Sequence, residues 1–209
     1  MSAQPDRPLY IAVEGPIGVG KTTLVHKLSE RLDGRVVLEN FEENPFLAQF
    51  YDDRDRYAFQ TQLFFLMSRF KQQEALAQAE LFTPNTVADY HLLKDRIFAR
   101  LTLSSHELML YERVYAALEQ HIIQPDVLIY LHAPIDVLLG RIKKRGREFE
   151  ADFDAGYLTE LSAMYQHHFA HYDRSPLLSL DTADLDYVAS DEPVDFILDK
   201  VRRLAAGQS

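Results

Sequence analysis

Residues 15–22 read GPIGVGKT, and this stretch decides the fold. It fits the pattern G-x-x-x-x-G-K-[ST], a glycine-rich turn that joins a strand to a helix and holds phosphate groups. The apolar run at 9–13 predicts the strand before it, and apolar residues three and four apart at 24–32 predict the helix after it. The sequence therefore predicts an α/β domain that binds a nucleotide at this loop.

The loop supplies several kinds of phosphate ligand. Its glycines let backbone N–H groups approach phosphate oxygens, because no Cβ blocks the way. Lys21 is expected to reach the β- and γ-phosphates and to act in catalysis, while the hydroxyl of Thr22 is expected to ligate Mg²⁺. The predicted nucleotide-binding residues are Gly15, Pro16, Ile17, Gly18, Val19, Gly20, Lys21, Thr22 and Thr23.

The composition of the whole chain suits an enzyme of one domain. With 209 residues, 47% of them hydrophobic, the chain is long enough to bury a sizeable core. No apolar run approaches the roughly 18 residues of a membrane span, and the polar start lacks a signal-peptide pattern. We expect a cytoplasmic protein without membrane contact, and the absence of cysteine excludes disulfides and thiolate metal sites. The net charge of −10 argues against a nucleic-acid polymer as partner, because a basic footprint is missing.

Short apolar segments alternate with helical segments along the chain. This alternation is typical of a parallel sheet covered by helices on both faces. Without an internal repeat or a linker, we predict one domain over 1–209 with a five-stranded parallel sheet. The predicted strands are 9–13, 35–39, 86–89, 126–132 and 177–181. The predicted helices are 21–33, 57–81, 95–101, 104–122, 135–145, 156–172 and 194–206.

Acidic residues stand at the carboxyl ends of several predicted strands. They are Glu14, Glu39, Asp89 and Asp181. Open α/β sheets bind their ligands beyond the carboxyl ends of the strands. These four side chains are therefore candidates for the functional site by position.

A concentration of positive charge lies at 141–147, which reads RIKKRGR. A helix that ends here would explain part of it, because cations favour the C-terminal end of the helix dipole. A phosphoryl group in transfer also needs cations that neutralise its developing charge. We therefore predict a short Arg-rich lid at about 141–152, in which Arg141, Arg145 and Arg147 act in catalysis.

Further segments follow the phosphate-binding loop in a fixed order. They are LE at 38–39, ENPF at 43–46, FQTQ at 59–62, SR at 68–69, Asp89 with Asp95, and RGR at 145–147. Together with the loop, this ordered set resembles the deoxynucleoside kinases, a P-loop kinase fold, and among them the bacterial deoxyadenosine/deoxyguanosine kinases. The resemblance implies transfer of the γ-phosphate of ATP to the 5′-hydroxyl of a deoxynucleoside in nucleotide salvage. It also implies Mg²⁺ and a homodimer, here through the helices at about 57–81 and 104–122.

The resemblance assigns roles to individual residues. Glu39 matches the carboxylate that takes the proton of the 5′-hydroxyl as general base. Asp89 matches the acidic residue that holds Mg²⁺ beside the substrate. Gln62 matches the glutamine that reads the base, and Arg69 with Asp95 matches an Arg–Asp pair near the base.

Two further matches concern the sugar, and one position departs from the family pattern. Tyr51 and Glu150 match the residues that contact the 3′-hydroxyl. Tyr90 stands where the family commonly has an arginine beside the 5′-oxygen. Either Lys94, Arg69 or a lid arginine supplies that positive charge, or this subgroup has less positive charge beside the 5′-oxygen.

Three classes of function stay open at this point. A kinase of purine deoxynucleosides is favoured over one that prefers deoxycytidine, and the choice between adenine and guanine is open. A nucleoside monophosphate kinase would need further arginines for the acceptor phosphate, and the base-site helix offers Arg69 but little else. A regulatory NTPase would need a guanine-reading N-K-x-D motif, which the sequence lacks.

Overall fold

A five-stranded sheet forms the centre of the molecule, a computed structural model that describes residues 7–79, 85–147, 154–185, 187 and 190–207. The strand order is β2-β3-β1-β4-β5, and each neighbouring pair is parallel. This confirms the predicted five-stranded parallel sheet. The strands are β1 (Tyr10–Glu14), β2 (Arg35–Val37), β3 (Thr86–Ala88), β4 (Val127–His132) and β5 (Leu177–Asp181).

Helices connect the strands, as parallel pairing requires. They are α1 (Lys21–Leu32), α2 (Leu47–Asp52), α3 (Arg54–Ala79), α4 (Leu93–Thr102), α5 (Ser105–Glu119), α6 (Ile135–Arg145), α7 (Ala155–Phe169) and α8 (Glu192–Ala205). A one-turn 3₁₀ helix, Phe41–Glu43, lies between β2 and α2. Within the described ranges, no helix is both long enough and apolar enough to cross a membrane.

Neighbouring residues of β4 show that both faces of the sheet are covered. Ile129 packs in a core cluster with Leu28 of α1 and Ile197 of α8. Tyr130 packs on the other side with Leu161 of α7. Because successive side chains of a strand point to opposite faces, the two clusters lie on opposite sides of the sheet. This arrangement explains why the strands read as continuous apolar runs rather than as alternating ones.

Some boundaries differ from the prediction, and α2 has no counterpart among the predicted helices. Helix α2 has six residues and buries Phe50 alone, so an apolar period is too short to be visible in the sequence. Strand β2 ends at Val37 rather than at 39, which leaves Glu39 beyond the sheet edge. Helix α4 begins at Leu93 rather than at 95, so Lys94 and Asp95 both lie in its first turn.

Candidate active site

A cavity of about 1010 Å³ opens beyond the carboxyl ends of β1, β2 and β3. The phosphate-binding loop forms one wall, α3 forms another, and the end of α6 closes a third side. Its volume lies at the upper end of the range for a pocket that holds one small ligand. The cavity therefore has room for a nucleotide and a second substrate.

The phosphate-binding loop turns sharply into α1 at Gly20. The φ angle of Gly20 is 100°, a left-handed conformation that side chains disfavour. A Cβ at this position would lie 2.3 Å from the hydroxyl oxygen of Tyr187. Backbone conformation and close packing both require glycine here, as the loop motif predicts.

Lys21 lies inside the loop. Its ammonium donates to the carbonyl oxygens of Gly15 at 2.7 Å and Pro16 at 3.1 Å. Burial and the neighbouring positive charge of Lys94 lower the pKa of Lys21 to about 8, although nearby carboxylates oppose the shift. The ammonium therefore occupies the concave side of the loop, where phosphate groups bind.

Side chains from outside the loop hold its backbone. Arg141 donates to the carbonyl oxygen of Val19 at 3.2 Å, and to the hydroxyl and carbonyl oxygens of Thr182 at 2.9 and 2.6 Å. The Tyr187 hydroxyl donates to the carbonyl oxygens of Val19 at 3.2 Å and Gly20 at 3.3 Å. Arg141, predicted as a lid residue, thus links α6 and the segment after β5 to the loop.

Thr22 and Asp89 meet where β1 and β3 end side by side. The Thr22 hydroxyl donates to Asp89 Oδ2 at 3.0 Å, and the backbone N–H of Glu39 donates to Asp89 Oδ1 at 2.7 Å. Within the described part of the chain, His, Cys, Asp and Glu nowhere form a group of three that could hold a metal. One carboxylate and one hydroxyl nevertheless fit Mg²⁺, which commonly takes its other oxygens from phosphates and water.

Glu39 lies between two cations. Its Oε1 accepts a hydrogen bond from Arg69 Nη2, and its Oε2 accepts one from Lys94 Nζ. Arg69 also donates through Nη1 to Asp95 Oδ1. Burial alone would raise the pKa of Glu39, but the charges of Arg69 and Lys94 outweigh it and hold that pKa well below its usual range. Glu39 is therefore ionised at neutral pH, and the four side chains form a neutral set.

Packing of α3 against α4 brings this set together. Leu66 of α3 is fully buried in a cluster with Leu92, which immediately precedes α4, and with Ala99 within α4. The same packing places Arg69, one turn after Leu66, beside the residues at the start of α4. Glu39 reaches the set from the loop after β2, the strand that pairs with β3.

One face of α3 forms the second half of the cavity. Gln62, Phe65 and Arg69 are three and four residues apart, so they lie on the same side of the helix, and all three line the cavity. The guanidinium of Arg69 lies 4.6 Å from the centre of the Phe65 ring, within range of a cation–π contact. The surrounding apolar wall comprises Leu47, Phe50, Tyr51, Phe98 and Tyr157. Such a wall with a few buried polar groups suits a flat heterocycle.

Most predicted site residues border this one cavity. Those that line it are Ile17, Gly18, Gly20, Lys21, Thr22, Thr23, Glu39, Tyr51, Gln62, Arg69, Asp89, Arg141, Arg145 and Arg147. Asp95 is fully buried and contacts Arg69, and it is not part of the lining. Glu150 lies outside the described residues, as does the lid beyond residue 147.

Two of the acidic candidates at strand ends lie apart from the cavity lining. Glu14 is fully buried, and its carboxylate accepts the backbone N–H of His91 at 2.5 Å and of Gly15 at 3.2 Å. Burial raises the pKa of Glu14, although the charges of Lys94 and Lys21 oppose the shift. Asp181 is exposed and accepts the backbone N–H of Ala183 at 2.8 Å. Both carboxylates accept hydrogen bonds from backbone N–H groups, so Glu14 and Asp181 stabilise the turns that follow the strands.

Other cavity residues carry no signal in the sequence. Tyr157 and Tyr187 come from distant parts of the chain and belong to no motif. Phe41, beyond the sheet edge, lies 4.0 Å under the guanidinium of Arg147. Lys94, by contrast, is one of the residues that the sequence offers as a source of the charge missing at Tyr90.

Comparisons with known proteins agree with this geometry. The family model described as deoxynucleoside kinase matches residues 11–206. The chain is 39% identical over 201 residues to a deoxyguanosine kinase of Bacillus subtilis (strain 168), covering 94% of each chain. It is 33% identical to a deoxyadenosine/deoxycytidine kinase of the same organism, covering 91% of this chain and 90% of that one. A solved structure of deoxyadenosine kinase from M. mycoides with bound dATP superposes with a TM-score of 0.80 at 30% identity, over 92% of this chain and 98% of that one.

Proposed function

The chain belongs to the deoxynucleoside kinase family, and on that premise we propose that it transfers the γ-phosphate of ATP to the 5′-hydroxyl of a purine deoxynucleoside, preferentially deoxyguanosine. The reaction would serve nucleotide salvage in the cytoplasm. The observation that carries the proposal is the position of Glu39: an ionised carboxylate in the same cavity as the phosphate-binding loop and the α3 face. A phosphate donor and a hydroxyl acceptor can thereby meet at one carboxylate.

On the donor side, the loop backbone and Lys21 bind the β- and γ-phosphates of ATP. Thr22 and Asp89 would hold Mg²⁺, which when bound would offset the negative charge of the phosphates. Arg145 at the end of α6 and Arg147 two residues beyond it line the cavity, and their charges would offset those of the phosphates. Arg141 supports the loop backbone, a role that its contacts with Val19 favour.

On the acceptor side, Glu39 orients the 5′-hydroxyl and receives its proton. Each carboxylate oxygen has two lone pairs, so Glu39 can accept the hydroxyl while Arg69 and Lys94 stay bound. The lowered pKa makes Glu39 a weak base. Phosphoryl transfer through a loose transition state tolerates this, because the hydroxyl proton becomes acidic only as the new bond forms.

In the base site, Arg69 favours guanine. Its Nε is buried without a hydrogen-bond partner among the described residues, which leaves one donor to satisfy. Guanine presents acceptors at O6 and N7, whereas adenine presents an amino donor in place of O6. Gln62 fits either base because its amide has a donor and an acceptor. Tyr51, which lines the cavity, and Glu150 are the proposed contacts of the 3′-hydroxyl.

A panel of deoxynucleosides tests the proposal. With ATP and Mg²⁺, we expect kcat/KM to be highest for deoxyguanosine, lower for deoxyadenosine and deoxycytidine, and at least about 100-fold lower for thymidine, which leaves polar groups of the site unpaired. Chromatography of products from ATP with deoxyguanosine, with dGMP and with water alone separates the three classes of function. Faster turnover of dGMP, of water or of thymidine than of the purine deoxynucleosides would contradict the proposal.

We also propose a homodimer formed through α3 and α5. Both helices carry large apolar side chains exposed to solvent, Met67 on α3 and Met109 and Leu110 on α5, and such patches commonly mark interfaces. Light scattering at micromolar concentration should give twice the chain mass of 24.1 kDa. The double variant Met109→Lys/Leu110→Glu should shift the mass toward one chain, whereas Phe196→Lys, an exposed position of α8 outside the proposed interface, should not. A wild-type mass of one chain would rule the dimer out.

A further inference from the structure

Lys94 is a cavity cation without an assigned role in the steps above. It lies in the first turn of α4, its side chain is 9% exposed, and it lines the cavity. Its ammonium donates to Glu39 Oε2 and lies 5.6 Å from the centre of the Phe98 ring. Burial and these contacts hold the ammonium at one place, beside the carboxylate that receives the acceptor hydroxyl.

The charge of Lys94 also acts on the phosphate side of the cavity. After burial, it is the largest influence that lowers the pKa of Lys21 in the phosphate-binding loop. Among the neighbouring charges, Lys94 also most strongly opposes the rise that burial causes in the pKa of Glu14, the residue that precedes the loop. Lys94 contacts Glu39 and lines the same cavity as Lys21, so its ammonium borders the space between the acceptor carboxylate and the phosphate-binding loop, which a phosphoryl group crosses during transfer.

Three other cavity cations have partners of their own. Arg69 bridges two carboxylates, those of Glu39 and Asp95. Arg141 donates to the loop backbone and to the segment after β5. Arg147 lies over the ring of Phe41.

The two residues after Asp89 supply no cation at the sheet edge. Tyr90 is fully buried and uncharged. His91 is buried, and burial together with the charge of Arg174 lowers its pKa to about 3, so it is neutral at pH 7. The positive charge beside Glu39 therefore comes from Arg69 of α3 and from Lys94 in the first turn of α4.

We propose that Lys94 is a catalytic residue whose ammonium contacts the phosphoryl group in transfer and stabilises the negative charge on it at the 5′-oxygen side. This inference rests on the proposed function. In the step, the bond from the γ-phosphorus to the bridging oxygen breaks, and its electron pair leaves with ADP. The 5′-oxygen bonds to the γ-phosphorus and its proton passes to Glu39, while Lys94 keeps its own proton. A fixed cation stabilises the charge spread over the phosphoryl oxygens.

Substitution of Lys94 should affect turnover more than binding. In Lys94→Met, kcat should fall by about 10²–10³-fold with little change in the KM for deoxyguanosine, because the lost contact forms in the transition state. Lys94→Arg keeps the charge and should retain more activity than Lys94→Met. The control is Lys71→Met, an exposed lysine of α3 outside the cavity, which should leave kcat unchanged.

Chemical rescue separates charge from shape. The sequence contains no cysteine, so Lys94→Cys introduces a single thiol. Alkylation with 2-bromoethylamine rebuilds a lysine isostere, and alkylation with 1-iodopropane gives a neutral side chain of the same length. Mass spectrometry verifies one addition in each sample. We expect kcat to recover with the aminoethyl group and to stay low with the propyl group.

The outcomes distinguish this inference from the proposed function. An active wild type with an undiminished kcat in Lys94→Met would overturn the role of Lys94 alone. Equal recovery with both alkyl groups would do the same, because packing rather than charge would then explain the loss. A wild type that phosphorylates no deoxynucleoside would overturn the proposed function, and this inference with it. Thermal unfolding of the two alkylated samples shows whether they share the same fold.

Discussion

Replacing Glu39 by Gln is expected to lower kcat by about 10²–10⁴-fold while the KM for the deoxynucleoside changes little. The amide keeps the shape of the side chain and still accepts a hydrogen bond, but it cannot take up the 5′-hydroxyl proton. Glu39 is the ionised carboxylate that borders both the loop side and the α3 side of the cavity. Steady-state kinetics with ATP and deoxyguanosine would measure the loss.

A nearby acidic residue provides the matched control. Glu43 lies in the same connection after β2, is exposed and is not part of the cavity lining. Glu43→Gln should therefore keep wild-type kcat, which excludes a general effect of removing one charge from this segment. Turnover in Glu39→Gln close to that of the wild type would contradict the role of general base. Thermal unfolding should confirm that the variant stays folded, since Arg69 still pairs with Asp95.

The sequence predicts those parts of the site that depend on local pattern. The loop at 15–22 requires consecutive residues in fixed spacing, and its strand and helix form as expected. The sequence predicts Asp89 and Glu39 as site residues because both follow predicted strands, and the carboxyl ends of parallel strands lie at one edge of a sheet. In these cases, the chemistry follows from a motif or from the end of a predicted element.

Other parts depend on packing between distant segments, and the sequence does not encode them locally. The contact of Lys94 with Glu39 requires both the early start of α4 and the position of the loop after β2. The link from Arg141 to Thr182 joins α6 to a segment about forty residues later, and no motif announces it. A basic run such as 141–147 reveals where charge is concentrated, but the partner of each side chain is set by tertiary structure.

Replacing Arg69 by Met is expected to lower the free energy of unfolding by about 3–5 kcal/mol. Asp95 is fully buried, and Oδ2 of its carboxylate has no hydrogen-bond partner among the described residues, so Arg69 is the cation that compensates its charge. Without the guanidinium, the carboxylate stays buried and unpaired. For a chain of this size, the loss corresponds to a fall in Tm of roughly 6–20 °C. Chemical denaturation and calorimetry measure both quantities.

A surface arginine with two carboxylate partners is the matched control. Arg31 pairs with Asp191 at 2.9 Å and with Asp195 at 2.8 Å, but both aspartates are more than half exposed. Water and salt screen these pairs, so Arg31→Met should lower the free energy of unfolding far less than Arg69→Met does. Equal losses in the two variants would contradict the view that burial of Asp95 makes Arg69 important for stability.

The double variant Arg69→Met/Asp95→Leu separates the two roles of Arg69. An apolar pair in place of a buried ion pair restores much of the lost stability, because no charge remains uncompensated. The base site would still lack its donor, so kcat/KM should stay low and should fall more for deoxyguanosine than for deoxyadenosine. Recovery of both stability and guanine preference would show that Arg69 serves the fold alone. Recovery of stability without guanine preference would show that the guanidinium of Arg69 recognises the base. In that role, the buried carboxylate of Asp95 fixes its position.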